Sequence, residues 1–272
     1  MRIRIWQKIL NLFVFMRSED DKEQQMQTYL SLCTEFYDID KPLAPERELA
    51  FYMDYAKNAN GGVLEPMCGT GRFLIPMLEA GIEIEGFDAS VFMLDVLYKK
   101  CAAKNLVPKV WRQFLEDLNL QKCYGLIFIP SGSFGLITNL DEVRLCLKKI
   151  LDHLRAGGTF VFEVETLKTP LAEMRTGKVS VTRPDGKTIT LETLSQLLTS
   201  NVVSSTFQYQ LLEGETILKT ETEDFKVRLY DPNELEELIK NTGFTHVKRI
   251  KAFDNNQKAS DEDIVMVIEC RK

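Results

Sequence analysis

The chain is poor in the side chains that carry much of enzyme chemistry. Only two of its 272 residues are histidines. His153 falls late in a helical stretch and His246 in a terminal strand pattern, and each reads as a structural or surface residue. The six cysteines, Cys33, Cys68, Cys101, Cys123, Cys146 and Cys270, form no CxxC pair and have no His-rich neighbour. That scatter indicates neither a zinc site nor a disulfide framework, so no metal is expected and a reducing cytoplasm is the simplest setting. Cations are also in deficit: 34 Lys and Arg face 40 Asp and Glu, for a net charge of −6. A dedicated nucleic-acid surface is therefore not expected, because neutralising phosphates takes clustered basic residues. Ser131 and Ser133 lack a His and Asp partner set, which sets a triad hydrolase aside. Long apolar runs are missing as well. Ile9 to Phe15, preceded by Arg2 and Arg4, imitates the front of a signal peptide, but no small-residue cleavage site follows and the run is too short to span a bilayer. The expected readings are a natural start at Met16 or a helix docked on the domain. Interfacial membrane contact is the alternative, with no stable insertion.

The chain is organised around Gly62-Val-Leu-Glu65-Pro-Met-Cys-Gly69-Thr-Gly71-Arg-Phe-Leu74. Val63 and Leu64 end a buried strand, the glycines give a turn that lets backbone approach a ligand, and Phe73 to Ile75 open a helix. A phosphate-cradling P-loop needs a Lys followed by Ser or Thr after its last glycine, and Arg72-Phe73 stands there. A dinucleotide fingerprint needs a third glycine to let the helix sit close to a pyrophosphate, and Leu74 takes that place, which weakens that reading. A ligand with an adenosyl ribose and no phosphate remains. Glu65 at the strand tip would repel a phosphate and attract an ammonium group. A second strand, Ile82 to Phe87, ends in Asp88 about twenty residues beyond the glycines, where a carboxylate can accept from both hydroxyls of a ribose.

Together, Glu65-x-x-x-Gly69-x-Gly71 and Phe87-Asp88-x-Ser90-x-x-Met93-Leu94 resemble the first two motifs of the class I S-adenosylmethionine-dependent methyltransferases. The resemblance covers roughly Ser31 to Lys272. It implies an α/β fold: a doubly wound, seven-stranded, mostly parallel Rossmann-like sheet with an antiparallel terminal hairpin and a β-insert. The cofactor it implies is S-adenosyl-L-methionine, with Tyr37, Glu65, Gly69, Gly71, Asp88, Ala89, Met93, Phe114, Leu115 and Pro130 expected around it. Tyr37 would fold over the cofactor. Phe114 occupies the place where such enzymes usually carry an Asp for the adenine amino group, so apolar contact and backbone near Leu115 would hold the adenine.

The rest of the chain alternates as that fold requires. Ser90 caps a helix to about Lys104, Val107 to Trp111 make a third strand, and Tyr124 to Ile129 read as a central parallel strand buried on both faces. Pro130 to Gly135 follow at its carboxyl end, where open α/β sheets place ligands, so Ser131, Ser133 and Phe134 are the expected acceptor contacts. Asn139 and Glu142 form a capping box for a helix ending at Ala156-Gly157-Gly158, and Thr159 to Val164 make the fifth strand. The expected organisation is an N-terminal extension over 1–30, a cofactor-binding core over 31–168 and 229–272, and a β-sheet insert over 169–228 that lids the substrate pocket. Pro184-Asp185-Gly186 marks a hairpin within the insert. Phe244 to Ile250 and Ile264 to Cys270 are the final strand pair.

The expected function is transfer of a methyl group to a nitrogen, oxygen or other nucleophile of a small-molecule acceptor by in-line displacement. The insert resembles that of the amino-sugar N-methyltransferases, which often carry a His in the loop after the fourth strand. Here Gly135 stands at that place. The remaining acidic candidates are Glu163 and Glu165, one of which is expected to face the pocket, with Glu165 taken as the catalytic residue. A non-catalytic cofactor-binding partner protein and a nicotinamide-dependent oxidoreductase are the rivals. A homodimer through the insert is a further expectation.

Overall fold

The computed structural model describes residues 28–170, 175–251 and 253–272. The expectations for the first fifteen residues, and the reading of the charged and polar stretch Ser18 to Gln27 as a solvated linker or helix, lie outside the described residues. Two helices, α1 (Ser31–Asp40) and α2 (Glu46–Lys57), precede the sheet. Then β1 (Val63–Pro66), α3 (Leu74–Glu79), β2 (Ile84–Asp88), α4 (Val91–Ala103), β3 (Lys109–Arg112), β4 (Tyr124–Ile129), α5 (Leu140–His153) and β5 (Leu154–Glu165) alternate along the chain. Four long strands follow, β6 (Arg175–Thr182), β7 (Thr188–Thr199), β8 (Val202–Glu213) and β9 (Thr216–Arg228). The chain closes with α6 (Pro232–Thr242), β10 (His246–Lys251), β11 (Asp254–Lys258) and β12 (Val265–Arg271).

The main sheet runs β11-β10-β12-β5-β4-β1-β2-β3. Strands β1 to β5 pair in parallel, and β12 and β10 add antiparallel neighbours beyond β5. This is the doubly wound sheet with its antiparallel ending, plus one strand beyond the expected seven. The extra strand, Asp-Asn-Asn-Gln-Lys, has no apolar residue to alternate, so hydropathy patterning carries no trace of it. All six residues of β4 are buried. Its alternation sends Ile127 and Ile129 to a core shared with α5 and α6, and Leu126 and Phe128 to a core shared with α2, α3 and α4. Helices thus cover both faces, and the order reverses between β4 and β2, with β1 at the switch point.

Side-chain caps appear at three helix starts. Ser90 accepts from the Met93 amide, Asn139 from Asp141 and Glu142, and Asp231 from Asn233 and Glu234. The expected helix end at Gly157-Gly158 differs: α5 stops at His153, and β5 begins at Leu154, with a register shift opposite Tyr124 and Leu126.

Strands β6 to β9 form a separate antiparallel four-stranded sheet. One of its faces presents Ile189 and Tyr209, with Phe207 and Leu211 alongside, to Leu32, Cys33 and Phe36 of α1. In β9 the same alternation aims Glu221 and Glu223 at the start of α1. Glu223 accepts from the backbone N–H of Tyr29 at 2.7 Å and of Leu30 at 2.9 Å, and Glu221 from the Leu32 N–H at 2.7 Å and the Ser31 hydroxyl at 2.8 Å. Two carboxylates therefore occupy the positive end of α1, satisfying amides that the helix itself leaves free.

Candidate cofactor and acceptor site

The glycine turn follows β1 at the carboxyl end of the sheet. Glu65, its last side chain but one, is 2 % exposed, and its Oε2 has no hydrogen-bond partner. Burial first, then the nearby charge of Asp88, pushes its carboxyl well above the usual range, against the weaker pull of the Leu74 amide and Arg72. A buried carboxylate oxygen left bare is costly unless a ligand supplies the missing donor.

Asp88 ends β2 opposite this turn. Its Oδ2 accepts from the Gly69 N–H and its Oδ1 from the Ser90 N–H, both at 2.8 Å. The carboxylate thereby ties the glycine turn to the start of α4 while facing the crevice. Gly69 has a φ of +53°, and a Cβ built on it meets nothing within 4 Å, so its α-carbon faces open space. Gly71 has a φ of +80°, and a Cβ there would come within 2.9 Å of Ile75 and 3.0 Å of Leu97. The first glycine leaves room for a ligand, whereas the second lets helices pack.

The third glycine of a dinucleotide motif has a substitute that the linear spacing hid. Gly86 of β2 lies beneath Leu74, and a Cβ on it would meet Leu74 Cδ1 at 2.6 Å. The helix sits close to the sheet because the strand, not the helix, carries the glycine.

A crevice of about 270 Å³ opens here, with Tyr37, Gly69, Asp88, Ala89, Met93, Phe114, Leu115 and Ser133 all on its walls. Eight of the expected residues are thus brought to one cavity. Glu65, Gly71, Pro130, Ser131 and Phe134 are not on that wall. Pro130 and Ser131 lie at the tip of β4, where Ser131 is exposed with a φ of +57°. Phe134 corrects an expectation: it is fully buried against Phe162, Phe160 and Tyr230, with ring centroids 4.7, 6.2 and 6.3 Å away, so it packs the core instead of meeting an acceptor. Tyr37 is held by Arg72, whose Nη1 donates to the phenol oxygen at 2.8 Å. Tyr29 also lines the crevice, and its carbonyl accepts from the Ser90 hydroxyl. Sequence reading passed over Tyr29 because its place depends on a distant partner, Glu223.

The carboxylates of β5 need a second correction. Residues two apart on a strand share a face, so Glu163 and Glu165 point the same way, toward the side of α2, and alternation cannot choose between them. Their surroundings do. Glu165 lies at the strand end within 3.4 Å of the Thr169 hydroxyl. Glu163 has a buried Oε2 with no partner, and burial pushes its carboxyl up to about 7, with Glu48 and Glu165 adding to the rise. Its Oε1 is 3.9 Å from where a Gly132 side chain would begin, so it stands beside the loop that follows β4.

Neither His has a place in this site. His153 is 6 % exposed, its Nε2 accepts from the Leu120 amide and its Nδ1 lies 2.7 Å from the Lys149 carbonyl, as a neutral, structural ring requires. His246 is on β10 at the other end of the sheet, in a cleft with Tyr55 and Glu269. At Gly135 a Cβ would approach Val227 at 3.1 Å and the Arg228 carbonyl at 3.2 Å, so β9 occupies the space a side chain would need. No insert residue lines the cofactor crevice among the described residues; the insert reaches it through α1 and this loop. Among the described residues no group of His, Cys, Asp and Glu could hold a metal, and no helix is long and apolar enough to cross a membrane.

A switch-point crevice with a bare buried carboxylate, a glycine turn and an acidic second strand end fits an adenosyl cofactor with an ammonium group. This fold and site define the class I Rossmann-like cofactor-dependent transferases. Residues 63–158 match the family model described as methyltransferase domain, so the chain carries a methyltransferase domain there. It is similar to YqeM of Bacillus subtilis (strain 168), named a methyltransferase, with 21% identity over 74% of this chain and 80% of that protein. The match to a Geobacillus sp. (strain WCH70) methyltransferase, 23% identical, spans 41% of this chain and only 45% of the relative. Among solved structures, an S-adenosylmethionine-dependent methyltransferase from Clostridium acetobutylicum ATCC 824 superposes with a TM-score of 0.71 at 19% identity, covering 86% of this chain and 95% of that one. The CcbJ methyltransferase from Streptomyces caelestis gives 0.67 at 25% identity, over 84% and 90%. A sugar N-methyltransferase and an amino pentose methyltransferase are among the other structures of this fold.

Proposed function

We propose that the protein moves the methyl group of S-adenosylmethionine to a nucleophile of a small molecule that enters beside the tip of β4. The bare Oε2 of Glu65, buried next to an open Gly69, carries this reading. The carboxylate would receive the cofactor's ammonium group. Asp88 would accept from the ribose hydroxyls, and Met93, Phe114 and Leu115 would enclose the adenine, with Tyr37 over it. The bound sulfonium supplies an activated methyl group, so no side chain has to be modified covalently. The protein's tasks are to align the acceptor, to exclude water with α1 and the insert, and to take up a proton where the acceptor releases one. Glu163 is better suited than Glu165 to that last task, because only its carboxylate oxygen is buried without a partner.

Calorimetry with S-adenosylhomocysteine tests the assignment. Binding is expected, and its heat should vary with the buffer, because Glu65 releases a proton when an ammonium group arrives. Preference for a nicotinamide dinucleotide over S-adenosylhomocysteine would overturn it. Binding without transfer to any acceptor would turn the reading toward a cofactor-dependent partner protein.

A further inference from the structure

Tyr29 enters the wall of the cofactor crevice with a φ of +56°, a backbone conformation that a tyrosine seldom adopts unless its surroundings impose it. The insert imposes it. Glu223 of β9 is 1 % exposed, and its carboxylate grips two successive amides, Oε2 accepting from Tyr29 and Oε1 from Leu30. Leu30 stands at the cap position of α1 and has no side-chain acceptor to offer, so a carboxylate from across the fold does the capping. The Tyr29 ring meets Phe225 of the same strand edge-on at 4.9 Å, and Phe225 stacks on Phe207 at 5.0 Å. Both the main chain and the ring of Tyr29 are thus fastened to the insert.

The Leu30 N–H and the Tyr29 carbonyl are the two poles of one peptide group. Glu223 holds the first, while the second accepts from the Ser90 hydroxyl at 2.8 Å, with the Thr34 hydroxyl farther off at 3.3 Å. Ser90 is 1 % exposed and donates its own N–H to Asp88 Oδ1, and Asp88 Oδ2 holds the Gly69 amide. A continuous line of hydrogen bonds therefore runs from a buried carboxylate of the insert, through one peptide group and one serine, to the carboxylate that ends β2. An amide whose N–H faces a carboxylate is polarised and its carbonyl accepts more strongly, so the links reinforce one another. The packing of α1 on the insert is a separate contact, made by Leu32, Cys33 and Phe36 against Ile189 and Tyr209.

We propose that Glu223 is a positioning residue of the cofactor site, acting through the Tyr29–Leu30 peptide and Ser90 to fix the Asp88 carboxylate and to hold Tyr29 across the crevice. The insert thereby sets how long the cofactor stays. This rests on the methyl-transfer reading above and names a control on that site. Ser90 keeps Asp88 aimed while its hydroxyl is engaged by the Tyr29 carbonyl, and that carbonyl is engaged while Glu223 holds the peptide. Cutting the line at either end frees the same joint, and departure of the cofactor past Tyr29 breaks the Glu223 pair and the Ser90 bond together.

The test is the release rate of radiolabelled S-adenosylhomocysteine chased with excess unlabelled compound, in the wild type, Glu223→Gln, Ser90→Ala and the double variant. Each single variant should release it about 5- to 50-fold faster, as expected for losing a hydrogen bond or two of this strength. The double variant should be no faster than the faster single one, because both substitutions cut one line. A Glu223 that only docks α1 would lower the urea midpoint and leave release as in the wild type. Release unchanged in either single variant, or fold-changes that multiply in the double one, overturns the proposal. Failure of S-adenosylhomocysteine to bind the wild type would instead strike the underlying methyl-transfer reading. If Glu223→Gln does not fold, hydrogen exchange decides: S-adenosylhomocysteine should slow the Tyr29 and Leu30 amides of the wild type about tenfold or more, and Ser90→Ala should lose that slowing. Amides indifferent to the ligand, or slowed equally in Ser90→Ala, overturn the proposal as well.

Discussion

Keeping Glu163 bare should make the protein less stable as pH rises. Its carboxyl is pushed from 4.5 to about 7 in the folded chain, chiefly by burial, so between those values the folded state holds a proton that the unfolded state has released. Stability therefore falls as pH climbs through this window and levels off above about 7. The full span corresponds to about 3 kcal/mol, most of it felt between about pH 5 and pH 8. Glu163→Gln removes the titration but leaves a buried amide with the same missing partners, a cost that does not depend on pH. The quantity to read is therefore the change in the mutant's advantage with pH. Urea unfolding at the two pH values should show the Gln variant gaining about 2–3 kcal/mol on the wild type at the higher one. An advantage equal at both pH values would mean that the side chain finds a partner or water in solution, and would refute the reasoning.

Four other substitutions separate the parts of the site. Gly71→Ala should cost about 1–3 kcal/mol of stability through its φ of +80° and the approach to Ile75, read by thermal or urea unfolding. Gly69→Ala, whose Cβ meets open space, should lose more affinity for S-adenosylhomocysteine than stability, and calorimetry beside unfolding shows which falls further. Asp88→Ala should weaken that binding by about 2–4 kcal/mol, since charge-assisted bonds to a ribose and the Gly69 anchor vanish together; an unchanged dissociation constant would reject the ribose role. Glu223→Ala should free the start of α1, seen as faster hydrogen exchange in Leu32 to Phe36 with the main sheet unaffected.

The parallel half of the fold was legible because its strands are short apolar runs bounded by glycines and helix caps, signals that local chemistry writes into the chain. Ser90 and Asn139 cap the helices they were expected to cap. The cavity wall was legible in part for the same reason: Gly69, Asp88, Ala89 and Met93 lie in two compact motifs. What escaped depends on pairs far apart in sequence. Gly86 matters only because Leu74 lies against it, Tyr29 only because Glu223 holds it, and β11 only because β10 offers an edge. The choice between Glu163 and Glu165 escaped for another reason. Strand parity makes them equivalent, and the difference lies in whether Thr169 or an apolar wall with Tyr52 is nearby.

Gly135 explains why the base should lie on β5 and not in the loop after β4. Val227 and the Arg228 carbonyl of β9 stand 3.1 and 3.2 Å from where a Gly135 side chain would begin, and the Arg228 guanidinium Nε donates to the Thr138 carbonyl at 2.8 Å, tying the insert to this loop. A histidine there would have to push β9 away, at about 1–3 kcal/mol, and would loosen the sheet that clasps α1. Gly135→His is therefore expected to destabilise the protein and to slow transfer, not to quicken it. The measurements are the urea midpoint and turnover on any acceptor used by the wild type. A more active Gly135→His variant of unchanged stability would show that the loop has room for a base, and would remove the argument that proton transfer belongs to Glu163.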